Sequence, residues 1–380
     1  MANVLTDLAA DLYKAADVVG RELSGTITSV TINADGSERV ALNDVVRAHF
    51  TRAVTPVDNA PSMTIPEGTD QTVDNKTLSI TKSRGVQIPW TGEDIRHVNN
   101  GSGFETIYGD QIRQAMRSIV NEIEVDLATS AYVGASRAFG TAGTTPFGSN
   151  FDEVAELRKI LVDNGAPMND VTMVLNTAAG TKLRNLAQLQ KTNENGTDQL
   201  LRNGVLLDLQ GIMLKESAGI QAPASGTGAN YLVNNAGGFP VGATAITLDG
   251  GTGTILAGDV VTFAGDTNKY VVASALASNV VTLAATGLRK AVADNAALTV
   301  VAASTRNVVF HRAALELAIR PPAMPNGGDA AVDAITVQDP FSGLVFEVRA
   351  YKGFQKAMFN VSCAWGTRLW KPEFAAVLLG

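Results

Sequence analysis

Apolar positions at helical spacing open the chain and reappear in its longest pattern. Residues 3–23 carry apolar side chains three and four positions apart, which predicts an amphipathic helix. A shorter patch at Asp44–Phe50 predicts a second helix. The strongest pattern runs from Gly103 to Ala135. A helix over that span would be a rod of roughly 45–50 Å at 1.5 Å per residue, longer than most helices of globular proteins.

The segment Thr55–Pro89 has a different pattern, with four prolines and mostly polar side chains. Apolar and polar residues alternate at Leu78–Thr81 and again at Val86–Ile88, which predicts the two strands of a long hairpin arm. An isolated hairpin is marginally stable in water, so we expect a neighbouring subunit to hold this arm. The candidate inter-subunit contacts are Met63, Ile65, Glu67, Lys76, Leu78, Ile80, Lys82 and Arg84.

Residues 151–220 alternate between helical and strand patterns. Helices are predicted at Phe151–Asn164 and Thr177–Gln190, and strands at Val171–Leu175 and Gly211–Lys215. A polar stretch between them, Gln190–Gly204, predicts a mobile loop.

Residues 224–304 are rich in Gly, Ala, Thr and Val, with short β patterns about ten residues apart. This spacing is typical of a small all-β barrel or sandwich, here inserted into the surrounding α+β unit. The predicted strands are Ala245–Leu248, Asp259–Phe263, Tyr270–Ala273, Val280–Leu283 and Leu298–Ala302.

After the insertion the α+β pattern returns. It predicts a helix around His311–Ile319, and strands at Leu344–Ala350 and Ala357–Trp365.

Composition excludes several classes of function. The 30 basic and 37 acidic residues give a net charge of −7, which argues against a dedicated nucleic-acid binder. One cysteine and three widely separated histidines supply no disulfide, no CxxC pair and no zinc-ligand spacing. No apolar run approaches the ~20 residues of a membrane helix, and the first residues lack the basic region of a secretory signal. We therefore expect a soluble protein that folds in a reducing cytoplasm.

Isolated residues suggest chemistry without completing a site. The Gly-rich Gly250–Thr254 lacks a GK[ST] ending, so a hairpin loop is favoured over a phosphate cradle. Asp259 and Asp266 fit turns better than a Ca²⁺ site. His97 lies beside two carboxylates, as in a base–acid pair, but no nucleophile motif accompanies it, and Cys363 fits a buried inert thiol. The sequence predicts no enzyme, no cofactor and no metal.

The order of these parts, with several short stretches, resembles a known family. The chain is similar to the major capsid proteins of tailed bacteriophages, which have the HK97-like fold. Within that family it most resembles the coat proteins of short-tailed Salmonella phages, which carry an inserted β-barrel. The stretches that carry the closer resemblance are Met1–Asn3, Val308–Ala318, Arg320–Pro321, Tyr351–Gly353, Trp365–Arg368 and Pro372–Phe374.

The resemblance implies an α+β, HK97-like major capsid fold with axial and peripheral domains. The implied divisions are an N-terminal arm (1–54), an extended loop (55–90), a peripheral domain (91–149) with a spine helix (103–135), the first part of the axial domain (150–222), an inserted β-barrel (223–304), and the axial and peripheral remainder (305–380).

The resemblance also implies a function. Copies of the chain would form the hexamers and pentamers of an icosahedral head, first a procapsid and then a mature shell, around double-stranded DNA. Its partners would be itself, a scaffolding protein, a portal protein and the enclosed DNA, with no membrane. It would assemble in the bacterial cytoplasm and reside in the virion. The Lys–Asn cross-linking of some relatives is not expected, although Lys76 and Lys82 lie in the corresponding loop. The alternatives are a phage decoration or fibre protein, and an α/β enzyme with a β insertion.

Overall fold

The computed structural model describes most of the chain after residue 23. For 48–50, 74–76, 97–99 and 104–108 it describes the backbone only. The helix predicted at 3–23 and most of the loop predicted at 190–204 lie outside the described residues. The described residues are 24–36, 38–50, 57–65, 74–99, 104–190, 206, 208–338 and 342–380.

The first half of the chain mixes strands and helices. A 3₁₀ turn at Ile27–Ser29 comes first. The elements that follow are β1 (Thr31–Ala34), β2 (Val45–Phe50), β3 (Asp74–Ser79), β4 (Lys82–Thr91), α1 (Gly92–Asn99), α2 (Phe104–Gly134), β5 (Arg137–Gly140), α3 (Asp152–Asp163), β6 (Val171–Leu175), α4 (Thr177–Arg184), α5 (Ala187–Gln190) and β7 (Met213–Glu216).

The second half has strands and two short 3₁₀ turns, at Arg312–Ala314 and Pro372–Phe374. The strands are β8 (Tyr231–Val233), β9 (Ala245–Asp249), β10 (Val260–Phe263), β11 (Lys269–Ala277), β12 (Val280–Leu283), β13 (Ala297–Val300), β14 (Arg306–His311), β15 (Leu315–Arg320), β16 (Ala331–Gln338), β17 (Val345–Gly353), β18 (Lys356–Leu369) and β19 (Ala375–Leu379).

Helix α2 packs against a six-stranded sheet. The strand order is β1-β15-β18-β17-β16, and β4 also pairs with β18. Because apolar residues recur at helical spacing, one face of α2 is buried, and Ile112, Ile123 and Leu127 are fully covered. They share a core with Phe346 and Trp365 of the sheet. The helix predicted over 103–135 is thus present as α2, with 31 residues.

A second group of strands, β5-β19-β14-β6-β7, packs against α3. Strands β14, β6 and β19 have every residue buried, so their apolar residues run consecutively instead of alternating. Leu157 and Leu161 of α3 lie in one core with Met173 and Leu378. The helix–strand alternation predicted for 151–220 is confirmed in α3, β6, α4, α5 and β7.

Six strands between β7 and β14 close into a barrel. Their order is β10-β13-β8-β9-β12-β11, and β11 pairs back to β10. Val261, Phe263 and Leu283 belong to its own hydrophobic core. All five predicted strands are present, and the sixth, β8, is only three residues long. The barrel is also joined edge-on to the second group of strands, since β11 pairs with β5.

The helix predicted at Asp44–Phe50 is wrong, because Val45–Phe50 forms β2 and pairs antiparallel with β3. A short apolar patch fits a helix and a strand equally well, and adjacent β-branched residues, here Val45 and Val46, favour a strand. The decisive partner, β3, lies far along the sequence.

The helix predicted around His311–Ile319 is also wrong. Strand β14 ends at His311, the 3₁₀ turn at Arg312–Ala314 follows, and β15 continues in the other sheet. Both strands are almost entirely buried, and such strands lack the alternation that would identify them. Nδ1 of His311 accepts a hydrogen bond from the amide of Ala313 at 3.1 Å, which stabilises the turn.

The two strands predicted within Thr55–Pro89 are present as β3 and β4, but they do not pair with each other. Strand β3 pairs with β2, and β4 pairs with β18 over ten residue pairs, from Thr91↔Lys356 to Lys82↔Trp365. The observed hairpin is therefore β2–β3, and β4 belongs to the six-stranded sheet. None of the helices within the described ranges combines the length and the apolar character needed to cross a membrane.

Candidate assembly surface

The segment between β2 and β3 exposes large apolar side chains. Val57 is 81 % exposed, Met63 106 % and Ile65 93 %. Single exposed apolar residues are common on proteins, but several within one short segment are typical of a surface that another molecule covers. Met63 and Ile65 of the predicted contact set therefore lie where a neighbouring subunit could reach them.

Leu78 and Ile80 have a different position. They are 1 % and 0 % exposed, in a small apolar cluster of the same chain. The cluster also holds Val40, Ala318 and Trp370, so it anchors the end of β3 to the six-stranded sheet. Their side chains are already covered inside the subunit, which leaves Met63 and Ile65 as the exposed apolar members of the predicted set.

Lys82 and Arg84 of β4 contact the long helix. Nζ of Lys82 lies 2.8 Å from Oε1 of Glu122 and 2.9 Å from Oδ1 of Asp126. Nε of Arg84 lies 3.3 Å from the same Glu122 oxygen. The indole of Trp365 donates to Oδ2 of Asp126 at 2.9 Å. This charge cluster joins β4, β18 and α2 at a partly exposed surface.

The ion pairs shift the pKa values of Lys82 and Glu122 in the directions that favour their charged forms. Partial burial acts to lower the pKa of Lys82, but the hydrogen bonds and charges of Glu122 and Asp126 outweigh it and the pKa is raised. Burial acts to raise the pKa of Glu122, but Lys82 and Arg84 lower it overall. Both shifts favour the charged forms of Lys82 and Glu122 at neutral pH.

The last two predicted contact residues are described only in part. Glu67 lies outside the described residues, and for Lys76 only the backbone is described, where it pairs with Ala48.

A buried carboxylate that the sequence analysis did not single out lies on α2. Glu124 is 2 % exposed and accepts hydrogen bonds from the amides of Thr26, at 2.7 Å, and Ile27, at 2.9 Å. It also accepts from the hydroxyl of Ser217 at 2.5 Å. One side chain thus joins the segment before β1, the long helix and the segment after β7. The sequence does contain a sign of this residue, because Glu124 interrupts the apolar helix face formed by Val120, Ile123 and Leu127.

The isolated candidates for chemistry have structural contacts. Asp259 accepts from the amides of Gly226, at 3.1 Å, and Leu256, at 2.6 Å. Asp266 accepts from the Tyr270 hydroxyl, and burial together with this bond raises the pKa of Tyr270 to about 12. These contacts place both aspartates in turns of the barrel.

The remaining candidates for chemistry are the Gly-rich residues 250–254, Cys363 and His97. Residues 250–254 lie in a loop of the barrel, where Thr252 bridges to Ala229. Cys363 is fully buried, which raises the pKa of its thiol, and the side chain of His97 lies outside the described set. In the described part of the chain, no three His, Cys, Asp or Glu side chains are grouped as metal ligands.

No protein-family model and no curated protein sequence matches this chain. Among solved structures, the capsid of the cyanophage P-SCSP1u matches with a TM-score of 0.52 at 11 % identity, covering 94 % of this chain and 88 % of the other. A structure from Mycobacterium phage Che8 gives 0.49 at 14 % identity, with 96 % and 90 % covered. A virus-like particle from Pyrococcus furiosus gives 0.46 at 11 %, with 98 % of each chain covered. The cyanophage match extends over nearly the whole chain, and the fold is accordingly the HK97-like fold of phage capsid proteins.

Proposed function

We propose that this chain is the major capsid protein of a tailed bacteriophage, whose copies assemble into an icosahedral head around double-stranded DNA. The observation that carries the proposal is the likeness of fold to the cyanophage capsid over 94 % of the chain. The role is structural and involves no catalysis.

The divisions implied by the resemblance are part of this proposal. Helix α2 would be the spine of the peripheral domain, and 55–90 the extended loop that overlaps a neighbour. Residues 223–304 would be the inserted domain of the short-tailed Salmonella-phage type. Supporting this subtype, a closed six-stranded barrel lies between β7 and β14.

The surface suits a subunit with a free and an assembled state. Each contact in a shell must be weak alone, so that the free subunit stays soluble, and strong in number. The exposed Met63 and Ile65 supply apolar area that a neighbour would cover. Glu67, Lys76, Lys82 and Arg84 complete the proposed contact region.

The partners follow from the same proposal. A scaffolding protein and a portal protein would guide assembly in the bacterial cytoplasm, and the finished protein would reside in the virion. The net charge of −7 suits DNA that is enclosed by the shell and not bound in a basic groove.

The direct test is sedimentation velocity of the purified full-length chain, expressed alone and with its scaffolding protein. The proposal predicts a fast-sedimenting species of hundreds of copies in at least one of these preparations. Only monomers or small rings under every condition would overturn it.

A further inference from the structure

The tip of the β17–β18 hairpin exposes an aromatic side chain. Phe354 is 89 % exposed, and the other large apolar side chains exposed in the described part of the chain are Leu, Val, Ile and Met. Aromatic residues supply much of the binding energy at protein interfaces when a partner covers them. An aromatic ring left in water at a hairpin tip is therefore a candidate anchor for another molecule.

The tip is held in place by its neighbours. Gly353 pairs with Lys356 across the turn, and Lys356 also pairs with β4. The amide of Gly92, at the start of α1, donates to the carbonyl of Gln355 at 3.0 Å. Because the backbone of the turn is already fixed on both sides, covering Phe354 costs little additional conformational entropy.

The tip is continuous with a groove between the hairpin and α1, and the two form one surface. The groove has a volume of about 780 Å³, and Ile95 and Ala357 line it with apolar atoms. Asp94, next to the groove, is bound to the Thr91 hydroxyl at 2.5 Å. The charged residues that line the groove are Arg96, Lys352, Lys356 and Glu93. This tip surface, formed by the groove and Phe354, thus combines apolar atoms with three basic groups and one acidic group.

The three basic side chains of the tip surface are exposed and unpaired. Within the described ranges, the side chains of Arg96, Lys352 and Lys356 make no ion pair and no hydrogen bond. In contrast, Lys82 and Arg349 bind carboxylates of their own chain. Although the whole chain has a net charge of −7, this surface has positive charge available for an anionic partner.

We propose that the tip surface binds an acidic segment of a different protein, in which carboxylates stand beside an apolar side chain. The apolar side chain would lie against Phe354 and Ile95, and the carboxylates would pair with Arg96, Lys352 and Lys356. Duplex DNA fits less well, because its phosphates would meet the basic groups but leave the aromatic ring in water. The inference goes beyond the proposed function, since an unassembled subunit can bind such a segment.

A second copy of this chain is a poorer occupant of the tip surface. The exposed apolar stretch 57–65 carries one carboxylate, Asp58. Val332 is also exposed, but the carboxylates of Asp329 and Asp333 beside it already accept hydrogen bonds within their own chain. Neither stretch offers several unpaired carboxylates next to an apolar side chain, so the occupant is a different protein.

Binding of a labelled peptide to the unassembled full-length subunit is the first test. The probe is a short peptide of alternating Glu and Leu, measured by fluorescence anisotropy beside its counterpart of alternating Gln and Leu. The Glu peptide should bind about tenfold more tightly at low salt, and added salt should reduce the difference because it screens exposed charges. Equal affinities of the two peptides at low salt would overturn the proposal.

Substitutions locate the binding site. F354A should weaken binding of the Glu peptide about tenfold, as expected for loss of an aromatic anchor, and the double variant K352E/K356E should weaken it by at least as much. K182E, which reverses an exposed charge on α4, is the matched control and should change the affinity little. Because all four side chains are exposed, the thermal midpoints should stay at the wild-type value. If F354A and K352E/K356E bind the peptide as tightly as K182E does, the tip surface is not the site.

Competition separates the possible occupants. At equal molar concentration, unlabelled Glu peptide should displace the probe more than mixed-sequence duplex DNA or a peptide of residues 57–65 does. Equal displacement by DNA would assign the surface to phosphate groups, and equal displacement by the 57–65 peptide would assign it to a second copy, so either result would overturn the proposal. Shell formation does not enter these measurements, and their failure would leave the proposed function intact.

Discussion

The long helix α2 makes two kinds of polar contact, one at a partly exposed side and one inside the protein. At the exposed side, Glu122 and Asp126 pair with Lys82, and the carboxylates are 31 % and 21 % exposed. Inside, Glu124 is 2 % exposed and is bound by two backbone amides and a hydroxyl. Two positions along a helix turn a side chain through about 200°, so neighbouring acidic residues serve opposite surroundings.

The difference is one of energy and of function. An exposed ion pair contributes about 0–1 kcal/mol because water and salt screen it. Removing a buried carboxylate leaves its donors unsatisfied, at about 1–3 kcal/mol for each donor. The exposed cluster can therefore be rearranged in a neighbour's presence at small cost, whereas Glu124 fixes the segment before β1 on the helix.

The largest expected effect is that of E124A. Loss of the carboxylate leaves the amides of Thr26 and Ile27 and the Ser217 hydroxyl without their acceptor, and should lower the free energy of unfolding by about 4 kcal/mol. Urea titration of the unassembled subunit measures it. E122A is the matched control, with an expected loss of no more than about 1 kcal/mol. Equal losses would remove the distinction between the two sides of α2.

A similar contrast exists along the β2–β3 hairpin. L78A should cost about 3 kcal/mol, because it leaves a cavity in a closed apolar cluster. M63A should leave the stability of the free subunit unchanged, since Met63 is fully exposed, and should lower the yield of shells. Calorimetry of the subunit and sedimentation of the assembly report the two effects separately. A stable L78A subunit would show that the cluster contributes less than its burial indicates.

A smaller loss of stability is expected when the pH falls and His311 becomes protonated. Burial lowers the pKa of His311 below its ordinary value near 6.5, against the weaker effect of Asp170. The unfolded chain then binds the proton more readily, so stability is present above about pH 6.5 and decreases as the pH falls towards the folded pKa. Protonation of Nδ1 would also abolish its bond from the Ala313 amide.

The pH effect is measured by denaturation of the wild-type chain and H311N between pH 7.5 and 5, where asparagine keeps an acceptor that does not titrate. The wild type should lose stability relative to H311N as the pH falls. Parallel pH profiles would contradict the assignment to His311.

The smallest effect is that of K82A at the exposed cluster. It should lower the free energy of unfolding by less than about 1 kcal/mol, and added salt should shrink the difference from wild type. Denaturation at two salt concentrations measures both. A loss of several kcal/mol that does not depend on salt would place this cluster with the buried contacts.

Elements with strong local periodicity were predictable, and those defined by distant partners were not. Helix α2 and the turn-bounded barrel strands lie where their patterns place them. The patch at 45–50 was misassigned, because only its pairing with β3 selects a strand. Strand β15 was misassigned because burial of both faces removed the alternation.

The candidate assembly surface likewise has features that the local sequence predicts and features that depend on distant residues. Exposed Met63 and Ile65 agree with a polar, proline-rich arm, while the burial of Leu78 depends on Trp370, far away in sequence. Glu124 interrupts an apolar helix face, but its donors come from segments about 100 residues away on either side and cannot be identified from a single sequence. Contacts between chains leave still less trace.

The measurement that tests the central claim most directly is electron microscopy of the purified assembly. We predict closed icosahedral shells, within which each subunit presents its exposed segment 57–65 to a neighbour. Particles that are open, filamentous or absent, from a chain that is folded and soluble, would contradict the proposal that this protein forms a capsid.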